Sequence, residues 1–178
     1  RMVHRTKEHY GHVDILVNNA GKGYDAPIEK VSADTFQKVF DLDLVGPLVA
    51  MQQVIPLMRE QGGGTIVNIS SGTALMVLPN MGAYAALKKA LAHLSLTAHE
   101  ELSPFNINVS VVYPYITLKD FEKNTIKEGL NTGGEEWEDD GDGLPSPPDP
   151  PEVVAEKILE AIETGAPEIY AHEWMKQM

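Results

Sequence analysis

Val13-Asp14-Ile15-Leu16-Val17-Asn18-Asn19-Ala20-Gly21 is an apolar run that stops in a polar turn closed by glycine. Such a run suits a parallel strand buried on both faces, with the turn forming the loop at its carboxyl end. The same kind of unit recurs on either side of it. Upstream, residues 1–10 mix polar and apolar positions and precede Gly11, as a helix ended by glycine does. Downstream, Ser32 can cap a helix running to about Glu60, with Phe36, Val39, Phe40, Leu44, Leu48 and Met51 along one side and a bend expected at Gly46-Pro47. Gly62-Gly63-Gly64 ends that helix, and Thr65 to Ser70 reads as a second strand. Helical periodicity returns from about Gly82 to Ser103 through Leu87, Leu91, Leu94, Ala98 and Leu102. Asn106 to Tyr113 is a third strand, stopped by Pro114. Strands alternating with long helices predict an α/β fold, a parallel sheet covered by helices.

The rest of the chain is less regular. Leu118 to Leu130 suits a short helix, whereas Asn131 to Pro151 has no periodicity and holds six acidic residues between Glu135 and Asp142, then five prolines. That segment is expected to be mobile, a lid or binding loop. Pro151 to Thr164 reads as a helix with Val153, Val154, Ile158, Ala161 and Ile162 inward, and Glu168 to Ala171 as a last short strand. The expectation is one domain over residues 1–178, with residues 115–150 inserted in it as a substrate lid.

Composition narrows the classes of function. The 178 residues are 43% hydrophobic and 22% charged, ordinary for a single globular core. A net charge of -12 disfavours phosphate backbones and anionic membranes, so nucleic acid is not an expected partner. With no cysteine, disulfides and thiolate metal sites are excluded, and the six histidines show no close metal-ligand spacing. No apolar stretch of about 18 residues stands out as a bilayer span, and no leader precedes the first helix, so a cytoplasmic location is the default expectation. The chain opens at Arg1 in what reads as the end of a helix, and is expected to be cut from something longer.

Chemistry enters with Ser71, followed thirteen positions later by Tyr84 and four further on by Lys88. A phenol is a poor acid-base group near neutrality, because its pKa is about 10, but an ammonium one helical turn away stabilises the phenolate. Tyr84 and Lys88 stand in that i, i+4 relation inside a helical pattern. Tyr115 and Lys119 repeat the spacing after Pro114, where no helix is expected. A serine hydroxyl from a strand end can hold a substrate oxygen while the phenol exchanges the proton, which points to carbonyl and alcohol interconversion. Taken alone, the pair also suits a half-buried aromatic beside a solvated charge.

Together, Asn18-Asn19-Ala20-Gly21, the strand Ile66-Val67-Asn68-Ile69-Ser70-Ser71 and Tyr84-x-x-x-Lys88 give the chain its resemblance to the short-chain dehydrogenase/reductase family. The resemblance implies a Rossmann-like doubly wound sheet binding NAD or NADP at the strand carboxyl ends. It implies Tyr84 as acid-base group, Ser71 as the residue that positions the substrate oxygen, and Lys88 as the cation that lowers the tyrosine pKa and bonds the nicotinamide ribose. Asn18, Ala20, Gly21, Pro114, Ile116 and Thr117 would line the cofactor cleft. The helices around Asp41 to Glu60 and Gly82 to Ser103 resemble those that pair family subunits into homodimers or homotetramers.

Three departures stand out. The family's opening strand, glycine turn of the type T-G-x-x-x-G-x-G and following helix are absent from this sequence, which would leave Val13 to Val17 as a sheet edge. Asp43 stands where the family's catalytic asparagine is expected; it is either a water-holding group whose charge raises the tyrosine pKa, or a solvated helix residue. Tyr115 replaces the usual glycine after Pro114, either narrowing the cofactor side of the pocket or packing beneath the lid, and Lys119 replaces a threonine. Val77 to Met81 and Lys119 to Pro150 would shape the substrate pocket, with Met76, Leu78 and Met81 suggesting an apolar small-molecule alcohol or carbonyl. The rival reading is a truncated, non-catalytic member that serves as a partner-binding or structural subunit.

Overall fold

The computed structural model describes residues 2–117, 124–130 and 147–178. In chain order the elements are α1 (Met2–Tyr10), β1 (Ile15–Asn18), β2 (Tyr24–Asp25), α2 (Ala33–Phe40), α3 (Gly46–Gln61), β3 (Gly64–Ile69), α4 (Gly82–Leu102), β4 (Ile107–Tyr113), β5 (Ile126–Lys127), α5 (Pro151–Thr164) and β6 (Glu168–Tyr170). Four strands form one parallel sheet in the order β1-β3-β4-β6, and β2 pairs with β5 in a separate parallel ribbon. The α/β architecture with helices on both faces is the one expected.

Alternation along the strands builds the two sides of the core. On one face Leu16, Ile66, Ile107 and Val109 meet Val3 of α1, Met51, Val54 and Met58 of α3 and Leu102 of α4. On the other, Val67, Ile69, Val112 and Ile169 meet Ala161 of α5. Full burial of each such side chain stabilises by about 1.5–3 kcal/mol. The strand carboxyl ends therefore project from a packed platform.

β1 departs from the expected two-sided burial. Leu16 is buried, but Ile15 and Val17 are 46% and 38% exposed. Their face of the sheet is the one covered by α5, which packs on β3, β4 and β6 rather than on β1. Among the described residues β1 is an edge of the sheet, as expected for this sequence.

The long central helix is capped as expected, with Ser32 Oγ accepting from the Thr35 N–H at 3.3 Å. Its irregularity lies earlier than Gly46-Pro47. Asp41–Val45 forms a π turn in which the Gly46 N–H reaches the Asp41 carbonyl, and Pro47, lacking an N–H, leaves the helix no ordinary bond to the Asp43 carbonyl. By length and composition Ala33–Gln61 can cross a membrane, contrary to the sequence reading, although Val39, Met51, Val54 and Met58 are packed inside the protein.

Residues 118–123 and 131–146, with Lys119 and the acidic run, lie outside the described residues. Of the helix expected over Leu118 to Leu130, the described residue Asn124 is helical, but Ile126–Lys127 is extended and pairs with Tyr24–Asp25. β-branched Thr125 and Ile126 suit that extended pairing.

Candidate active site

Ser71 lies two residues beyond the end of β3; its backbone is extended and its Oγ accepts from the Thr73 N–H at 3.2 Å, with Thr73 Oγ1 3.0 Å away. The first turns of α4 carry Tyr84 and Lys88, both 4% exposed. A side-chain hydrogen bond joins Ser71 and Tyr84. The π turn directs Asp43 into the same place: Oδ2 lies 3.0 Å from Lys88 Nζ, and Oδ1 accepts from the Lys22 N–H at 2.9 Å. Lys88 also donates to the Ile69 carbonyl at 3.2 Å, and its Nζ sits 5.6 Å from the centre of the Tyr84 ring. All four expected catalytic residues thus converge. With no exposed surface, Asp43 is not the solvated helix residue of the blander reading.

The electrostatics run opposite to the simple expectation. Burial pushes the Tyr84 hydroxyl well above the ordinary phenol value, the Asp43 charge pushes it further, the Ser71 hydrogen bond pulls it down and Asp25 adds a smaller upward push. Asp43, 3.0 Å from Lys88 Nζ, opposes the stabilisation that the ammonium offers a phenolate.

Gly21 acts through this pair. A Cβ at Gly21 would lie 3.1 Å from both Asp43 Oδ2 and Lys88 Nζ, so the Asn18 to Gly21 turn lies directly against the ions, and only glycine fits without displacing them. Asn18 is tied inward: its Nδ2 donates to Asn68 Oδ1 at 2.7 Å, Asn68 donates to Ser95 Oγ at 2.8 Å, and Ser95 to the Leu91 carbonyl at 2.7 Å. Ala20 is exposed beside the turn. The Pro114 carbonyl accepts from the Gly72 N–H at 2.7 Å, Ile116 is 45% exposed and Thr117 Oγ1 donates to the Tyr115 carbonyl at 3.2 Å.

Tyr115 does not narrow the cofactor side. It is buried with its ring edge-on to His172 and Trp174, at 5.7 and 5.3 Å between centres, an arrangement that aromatic packing favours. Val77 is fully exposed rather than lining a pocket.

Sequence reasoning missed Lys22, Asp25, Ser95, Asp149 and His172. Asn68 in a strand of apolar residues was a readable signal, since a buried amide requires partners. Ser95, one turn after Leu91 on the inward stripe, was its natural partner. Asp149 and His172 gave no local signal, because tertiary structure alone brings them together.

The hydroxyls of Ser71, Tyr84 and Thr117 and the Lys88 ammonium, gathered at the carboxyl ends of β3 and β4, suit the ribose hydroxyls and carboxamide of a nicotinamide nucleotide. For a pyrophosphate this sequence offers no glycine turn of the expected type. No group of three or more His, Asp or Glu among the described residues is placed to hold a metal ion.

Residues 1–129 match the family model for short chain dehydrogenases. The chain is 38% identical over 119 residues to the 3alpha-hydroxysteroid dehydrogenase of Mediterraneibacter gnavus, spanning 67% of this chain and 48% of that one. It superimposes on a short-chain dehydrogenase from Streptomyces avermitilis with a TM-score of 0.84 at 28% identity, covering 99% of this chain and 66% of the other. NAD+-bound xylitol dehydrogenase is similar with a TM-score of 0.65 at 33% identity, over 68% of this chain and 47% of that one. The chain spans about half the length of the curated relatives it matches, 48%, 41% and 48% for three of them.

Proposed function

The chain belongs to the short-chain dehydrogenase family, and on that premise we propose that the intact protein is an NAD- or NADP-dependent oxidoreductase interconverting a small-molecule alcohol and its carbonyl. The observation that carries this reading is the buried constellation of Ser71, hydrogen-bonded to Tyr84, and Lys88, paired with Asp43.

Ser71 and Tyr84 offer two hydroxyls to one substrate oxygen. In reduction the Tyr84 O–H donates its proton to that oxygen as the alcohol forms; in oxidation the phenolate takes it back. Ser71 keeps the oxygen within reach and disperses charge developing on it. Lys88, held by Asp43 and the Ile69 carbonyl, would bond a ribose hydroxyl, and Ile116 and Thr117 would hold a carboxamide, with Asn18, Ala20, Gly21 and Pro114 lining the same cleft. A bound nicotinamide nucleotide supplies or accepts the hydride equivalent. Met76, Leu78 and Met81 favour a substrate with an apolar body, and similarity to dehydrogenases named for a hydroxysteroid and for xylitol supports the alcohol class. A second copy of the chain is proposed to cover the solvent side of α3 and α4, giving a homodimer or homotetramer.

The test is Tyr84→Phe in the intact protein, which removes the exchangeable proton and keeps the packed ring. Turnover of alcohols or ketones is expected to fall about 10²–10⁴-fold with an unchanged circular dichroism spectrum; equal turnover refutes the assignment. The second reading is a non-catalytic partner-binding subunit. It predicts no NADH or NADPH binding by the intact protein in a fluorescence titration.

A further inference from the structure

The C-terminal turn Glu173–Gln177 and its approach carry a buried cluster that the proposed chemistry does not use. Asp149 is 6% exposed, and both its carboxylate oxygens lie within hydrogen-bond distance of His172 Nε2, at 3.1 and 3.0 Å. A buried carboxylate is costly unless paired, and His172 is its side-chain partner among the described residues. The imidazole is itself fixed, stacked on Trp174 at 5.7 Å with planes 10° apart and met edge-on by Tyr115.

The backbone of the same aspartate reaches the site. The Asp149 N–H donates to the Ile116 carbonyl at 2.7 Å, and Thr117 and Asp149 form an isolated parallel bridge. Two residues before Ile116, the Pro114 carbonyl takes the N–H of Gly72, the residue after Ser71. Met175, in the turn that follows His172, packs so closely on Gly72 that a Cβ there would meet its Cε at 3.0 Å. The Asp149–His172 contact therefore links three chain segments around the carboxyl ends of β3 and β4.

We propose that His172 and Asp149 are positioning residues, a clasp that sets the Pro114 to Thr117 backbone against the nicotinamide end of the cofactor and holds the turn after Ser71; the cofactor part rests on the function proposed above. Nε2–H donates in the Nε2-protonated neutral ring and in the imidazolium alike, so the clasp needs a donor and not a particular charge. His172→Phe keeps the aromatic stack and removes that donor.

In the intact protein, His172→Phe is expected to speed hydrogen exchange at the Asp149 and Gly72 amides about tenfold while the Val67 and Val109 amides of the sheet centre are unmoved. The cofactor KM is expected to rise about five- to tenfold with kcat within about twofold, and His172→Gln, which restores an N–H donor, to recover both in part. Asp149→Asn, which keeps shape and hydrogen bonding but not charge, is expected to move exchange in the same direction by less and serves if the phenylalanine variant does not fold. Wild-type exchange at Asp149 and Gly72 in these variants overturns the clasp. Faster exchange with an unmoved KM overturns its positioning role. If the wild-type protein binds neither NADH nor NADPH, the proposed function has failed, and the exchange measurement alone decides whether the clasp exists.

Discussion

Asp43 has no exposed surface and faces an ammonium 3.0 Å away, so the two charges satisfy one another at the expense of the phenol beside them. Asparagine at position 43 keeps the acceptor for the Lys22 N–H but removes the negative charge that opposes the Tyr84 phenolate. The Tyr84 pKa then falls, and in the oxidation direction, where the phenolate is the base, the rising limb of the pH-rate profile is expected to move to lower pH. A limb that stays in place in Asp43→Asn refutes the electrostatic role. Asp43→Ala is a different experiment: it strands a buried ammonium and is expected to cost about 3–5 kcal/mol in denaturant unfolding. Gly21→Ala presses a methyl onto both ions, and an overpacking cost of about 1–3 kcal/mol is expected.

Among the elements, β1 is the one whose burial is lopsided. Leu16 packs with Val3, Met51, Val54 and Ile66, while Ile15 and Val17 face the uncovered side. Leu16→Ala is expected to destabilise by about 2–4 kcal/mol, whereas Ile15→Thr and Val17→Thr stay within about 0.5 kcal/mol by the same unfolding measurement. Equal costs at positions 15 and 16 would mean that both faces are covered in solution. The strand itself was readable because Val13 to Val17 is apolar and ends in Asn18-Asn19-Ala20-Gly21; its one-sidedness was not, because coverage depends on where α5 lands. Ser32, the inward leucines of α4 and the stop at Pro114 were likewise legible, since caps and periodicity are local. The π turn was not, as Gly46-Pro47 marks where a helix is disturbed but not that the disturbance moves upstream and turns Asp43 inward. At the site, the Tyr84 and Lys88 spacing placed both residues correctly. The upward push of Asp43 on the phenol was legible as one of two readings of that position; the burial that outweighs it was not, because it depends on tertiary packing.

On the scale of the whole molecule, four phenols are held protonated by the fold. Burial first, and then hydrogen bonding to Glu128, raises Tyr24; burial and Asp43 raise Tyr84. Burial and Glu168 raise Tyr113 and Tyr170, which stack on one another, Tyr170 to about 12. In the unfolded chain all four titrate near the ordinary value of 10.0. Between that value and the folded ones the unfolded state binds fewer protons than the native state, so unfolding free energy decreases as pH rises. The contribution is whole below pH 10 and is lost progressively up through the folded pKa values, with the net charge of -12 adding self-repulsion as further protons leave. The denaturant midpoint is therefore expected to hold between pH 8 and about 9.5 and to drop steeply from about 10 upward. Tyr113→Phe, which keeps the stacked ring and discards the titrating proton, is expected to make that drop shallower. An undiminished slope in this variant would show that Glu168 and burial do not hold the Tyr113 proton.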